Sequence, residues 1–127
     1  MTESKRPQSL PEFLLERIAE DESEAQATSG RIARAAMQEM AAWAGGVGPA
    51  ARHIARWDPA RVLAECQARR QIVEFAQEAT GMEISLDLEF GQSHRDEAAD
   101  PYIGDRILNL LAAPYAGHPD YRPEWKL

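Results

Sequence analysis

Cysteine is nearly absent from this 127-residue chain. Cys66 stands alone, which excludes a disulfide framework and any metal site built on several thiolates. Lysine is almost missing as well, with two against twelve arginines. Leu, Ile, Val and Phe together number 23, or 18%, while Ala alone supplies 22 residues. Such a thin supply of core, with a net charge of −7, sits near the composition at which chains fail to fold alone. Three Trp, three Tyr and four Met compensate in part. No stretch approaches the ~18 uninterrupted apolar residues of a membrane span. Met1 to Pro11 is polar, and no long apolar run follows Lys5 and Arg6, so no secretory signal is expected and the cytoplasm is the expected location.

The acidic total hides a division. Residues 1–30 carry a net −4, residues 31–70 a net +4 and residues 71–127 a net −7. The positives of the middle segment are Arg31, Arg34, Arg52, Arg56, Arg61, Arg69 and Arg70, all of the side chain that forks onto carboxylates and phosphates. A positive segment between two acidic ones is most simply neutralised by its own flanks. A pI near 4.9 argues against duplex binding, because the chain as a whole repels phosphates.

Periodicity predicts a mainly α fold, a small irregular bundle of three to four helices with one β-strand at about residues 83–90. Ser9 followed by Glu12 is a capping box, so a helix should start near Leu10, with Leu10, Phe13, Leu14, Ile18 and Ala25 on its apolar side. Ile32, Ala36, Met40 and Trp43 continue a helical stripe as far as Gly45 and Gly46, and Gly30 before them marks either a kink or a loop. Gly45 to Ala51 reads as a linker. It makes no phosphate loop, since Pro49 and two Ala follow Gly48 where a Lys and a hydroxyl residue would be needed. Asp58-Pro59 opens a further helix that Thr80-Gly81 should end, with Cys66 among its apolar positions as a buried thiol.

From Glu83 to Phe90 the period changes to two. Ile84, Leu86, Leu88 and Phe90 alternate with Glu83, Ser85, Asp87 and Glu89, which predicts a half-buried strand. A lone strand leaves its backbone groups unpaired, so this reading implies a homo-oligomer, most simply a dimer through the 83–90 strand. Gln92 to Asp100 reads as a mobile loop, Asp100-Pro101 as the start of a last helix, and Pro114 as its end. One helical domain is expected over 1–127, with a disordered N-terminus at 1–8 and a Pro- and aromatic-rich tail at 115–127 packed on the helices.

Two segments carry a resemblance. Residues 53–63, His-Ile-Ala-Arg-Trp-Asp-Pro-Ala-Arg-Val-Leu, and 111–125, which contain Pro-Tyr-Ala-Gly-His-Pro-Asp-Tyr-Arg-Pro-Glu-Trp, are similar to a paired signature in small uncharacterised proteins of actinobacteria and their phages. Phe13 to Glu22 also resembles the opening helix of that family. A usage of twelve Arg to two Lys fits a GC-rich genome of this kind. The resemblance implies kinship and no assigned reaction. Many members carry an aromatic-rich segment after the first helix, and Cys residues before the C-terminal signature. This chain has Met37 to Gly46 and a Cys-free segment there, so no metal role carries over.

The remaining candidates are few. His53, His94 and His118 lack zinc spacing, and no metal, cofactor or catalytic residue is assigned. Arg52, His53, Arg56, Trp57 and Arg61, with Tyr121 and Trp125 in the tail, are the candidate partner-binding residues, because Arg and aromatic side chains concentrate binding energy at interfaces. A bland reading competes with this, in which Arg56 or Arg61 pairs with Asp58 and with carboxylates of the first helix. The function expected is that of a non-enzymatic cytoplasmic accessory protein of phage or prophage type acting through protein contacts. The alternatives are a nucleic-acid-associated regulator using the Arg-rich middle, or a small enzyme of unrecognised type.

Overall fold

Ser9 sets the first helix. Its hydroxyl accepts the Glu12 backbone N–H at 3.3 Å and donates to the Glu12 carboxylate at 3.0 Å, and Arg6 pairs with that carboxylate at 3.1 Å. In the computed structural model, which describes residues 6–28, 30–43, 48–91 and 101–127, this start leads into α1, Leu10–Thr28. The Thr28 hydroxyl donates back to the Glu24 and Ala25 carbonyls at 3.1 Å, satisfying acceptors that the helix end leaves open. Gly30 lies between two separate helices, since α2 runs Arg31–Trp43.

The expected linker at 45–51 is helix from Pro49 onward. Gly48 takes the extended cap conformation, Pro49 occupies the first turn, and α3 covers Pro49–Arg56. Then Asp58 caps α4, Pro59–Glu89, with its carboxylate accepting the Arg61 N–H at 2.8 Å.

Helix α4 overturns two expectations. It passes through Gly81, and it absorbs residues 83–89, so the strand at 83–90 does not exist and no strand occurs among the described residues. Extending a formed helix adds one hydrogen bond per residue fixed, whereas a strand needs a partner strand. Within 83–90 only Ile84 is β-branched, while Glu and Leu favour helix. The helix ends where Gly91 adopts φ +70°, the left-handed conformation suited to glycine.

The last helix, α5, covers Ile103–Ala112 and starts two residues after Pro101. Tyr102 offers it no side-chain cap; instead the Glu83 carboxylate of α4 accepts the Ile103 N–H at 3.0 Å. Single 3-10 turns follow at Ala113–Tyr115 and Pro123–Trp125. The expected loop over 92–100, with its Asp100 helix start, lies outside the described residues, as do residues 1–5 of the expected disordered N-terminus. Among the described residues no helix is long and apolar enough to cross a membrane.

The chain divides into two compact units. One comprises Met1–Glu16 and Arg70–Leu127, and buries Phe13, Leu14, Val73, Ala76, Leu108, Ala112 and Trp125. Helix α5 comes close to α4 at Gly104, where an added Cβ would land on the Ala76 carbonyl oxygen and the Thr80 hydroxyl. The other unit comprises Arg17–Arg69 and buries Ile18, Ala25, Ala51 and Cys66, together with Arg17, whose guanidinium meets Glu20 at 3.0 Å.

Candidate functional site

The α3–α4 corner gathers five of the seven candidate residues. Arg52, His53 and Arg56 project from α3 and are exposed. Trp57 ends that helix, donating its N–H to the His53 carbonyl at 3.0 Å, and its ring lies 6.2 Å from the His53 imidazole. Arg61 folds back from α4 so that its guanidinium carbon sits 4.2 Å from the Trp57 ring centroid. The same guanidinium bonds Glu65 at 3.2 Å and the Arg56 carbonyl at 3.4 Å. A cation over an indole face contributes roughly 0.5–1 kcal/mol when exposed, so this stack orders the corner more than it stabilises it.

The pairing expected of Arg61 takes a different form. Asp58 binds the Arg61 backbone N–H, as a helix cap, while the Arg61 side chain turns one helical turn onward to Glu65, which Arg69 also approaches at 3.7 Å. Beside this corner a cavity of about 480 Å³ is lined by Trp57, Met37, Val62 and Cys66 with Glu24 and Glu65 among the polar walls. A second, of about 560 Å³, lies among Arg34, Met37, Ile54, Asp58 and Leu63. Cys66 is buried, as its place in the apolar pattern predicts. Among the described residues no three His, Cys, Asp or Glu side chains converge as metal ligands. His94 lies outside the described residues.

Tyr121 and Trp125 belong to the other unit, where they surround Phe13. The Phe13 ring is fully buried and meets Trp125 at 5.1 Å, His118 at 5.5 Å, Tyr121 at 6.1 Å and Tyr115 at 6.2 Å between centroids. Nδ1 of His118 accepts the Asp120 N–H at 3.0 Å, fixing the turn that returns the chain to the ring cluster. Trp125 is 8% exposed, so its ring serves packing within its own unit.

The surface that sequence reasoning missed lies on α4. Phe75 and Met82 are 64% and 66% exposed, and Ile72 and Leu86 are exposed on the same side. Ile72, Phe75, Ala79, Met82 and Leu86 follow at steps of three, four, three and four, which keeps them on one helical stripe. The spacing was legible, but reading residues 83–90 as a strand cut the stripe in two. On α2, Met40 and Trp43 are likewise exposed.

A mainly helical protein with an Arg/Trp corner and an uncovered apolar helix stripe is the class that these observations define. The chain belongs to the family of unknown function DUF6221, whose model matches residues 7–127. No curated protein and no solved structure matches it.

Proposed function

We propose that this is a non-enzymatic accessory protein of phage or prophage type, acting in the actinobacterial cytoplasm through protein–protein contacts. The observation that supports this reading is the apolar stripe of α4. Folded monomers seldom leave contiguous apolar surface uncovered, and where they do it marks an interaction site. In dilute solution, Phe75→Glu and Met82→Glu should leave the melting temperature within about 2–3 °C of the parent and abolish partner capture in a pull-down, because a surface change costs only ~0.5 kcal/mol. Val73→Glu, at a buried position, should unfold the chain. Stripe variants that melt as low as Val73→Glu would assign the stripe to the core and sink the proposal.

A second reading, a nucleic-acid-associated regulator, is favoured by the exposure of Arg52, His53 and Arg56 beside Trp57. It requires binding to random duplex that weakens steeply with salt, as counterion release dictates. Absence of binding at low salt removes it.

A further inference from the structure

We propose that the cavity beside Trp57 binds a small organic cation, a primary ammonium or guanidinium carried on an apolar stem. Two helical faces build it within the Arg17–Arg69 unit. Asp21, Glu24, Ala25 and Thr28 line it from α1, and Val62, Glu65, Cys66 and Arg69 from α4. Both sets follow at steps of three, one and three, so each is one face of its helix. Ala25 and Cys66 are buried, and with Val62 and Met37 they make much of the lining apolar. The volume of about 480 Å³ falls within the ~300–1,000 Å³ of small-ligand pockets.

Charge selects the ligand. Among the described residues, three carboxylates, Asp21, Glu24 and Glu65, line the cavity against one cation, Arg69. Glu65 is held by Arg61 at 3.2 Å and approached by Arg69 at 3.7 Å, whereas nothing among the described residues pairs with the Glu24 carboxylate. An anion would meet this excess of negative charge. A bare metal ion does not fit either, because no three acidic side chains among the described residues converge as ligands.

Trp57 supplies an aromatic wall that already carries one cation. The Arg61 guanidinium sits 4.2 Å from its ring centroid and shares Glu65 with it. An organic cation gains twice in such a setting, since its stem is buried against apolar side chains while its charge keeps a ring and a carboxylate as partners.

Calorimetric titration of the full chain with phenethylammonium at low salt tests this, with 2-phenylethanol and 3-phenylpropanoate as neutral and anionic controls of similar shape. The ammonium should bind about tenfold more tightly than either control. Glu24→Gln, at an exposed position, should weaken it about three- to tenfold at unchanged melting temperature. Cys66, the single thiol of the chain, lies in the cavity wall and gives a second readout, because its reaction with a thiol reagent should slow in proportion to occupancy. Val62→Phe should fill the cavity and abolish both signals; should it also lower the melting temperature, Glu24→Gln decides alone. Equal affinity for the alcohol overturns the selection by charge. Absence of both heat and Cys66 protection at millimolar phenethylammonium overturns the site. An arginine-bearing peptide that protects Cys66 where phenethylammonium does not would give the cavity to a partner's side chain and overturn the small ligand.

Discussion

Gly104 is where one atom decides most. No open turn requires glycine at this position: φ is not positive, and what the residue provides is the missing Cβ that lets α5 approach the Ala76 carbonyl and the Thr80 hydroxyl. Two of those neighbours cannot give way easily, because the carbonyl is helix backbone and Thr80 is held 3.4 Å from the Asp105 carboxylate. Gly104→Ala should therefore cost about 3 kcal/mol, the upper end of ordinary overpacking, and lower the melting temperature by roughly 10 °C. A thermal melt within a degree or two of the parent would show that α5 does not sit this close. The sequence offered no sign of this approach, since a glycine between Ile103 and Asp105 looks like any other. By contrast Ser9 and Asp58 were readable, because each cap acts on an amide three residues away in the chain.

At the scale of the element, local chemistry was legible and competition between elements was not. Ile84, Leu86, Leu88 and Phe90 satisfy a strand pattern fully, yet α4 reaches them already formed and no strand among the described residues is there to pair with them. Gly81 shows the same point. Read locally it is a helix end, whereas within α4 its φ is not positive and nothing lies within 4 Å of an added Cβ. The two readings predict opposite signs. In a helix interior Gly81→Ala should stabilise by about 1 kcal/mol, through helix propensity and a less flexible unfolded chain. That is a rise of about 3–5 °C in melting temperature for a chain of this size. A left-handed cap at Gly81 would give a loss of similar size, so a lowered melt would restore the shorter helix and with it the case for a separate segment beyond residue 81. α5 adds a further instance: its first amide is capped by Glu83, 20 residues earlier, a contact that no window of local sequence contains.

For the whole molecule, the scarcity of Leu, Ile, Val and Phe raises the question of what holds the chain together. Rings supply part of the answer in the unit that contains both ends of the described chain. Phe13, near the start, is enclosed by Tyr115, His118, Tyr121 and Trp125, near the end, so the tail completes a core that the helices leave unfilled. Its aromatic content was visible in the sequence, but the identity of the residue it surrounds was not. Deleting Pro119–Leu127 removes Tyr121 and Trp125 and uncovers one side of Phe13. The loss of one buried indole and one half-buried phenol amounts to roughly 3–5 kcal/mol, from their apolar area and ring-edge contacts. A fall of about 10–20 °C in melting temperature should follow, since 1 kcal/mol shifts a chain of this length by about 3–5 °C. Tryptophan emission gives an independent readout: Trp125 is 8% exposed against 41% for Trp57 and 91% for Trp43, so the most shielded part of the signal belongs to Trp125 and should be lost with the deletion. A truncated chain that melts as the parent does would mean that Phe13 is held by the helices alone, leaving the Pro- and aromatic-rich C-terminal segment free to meet a partner.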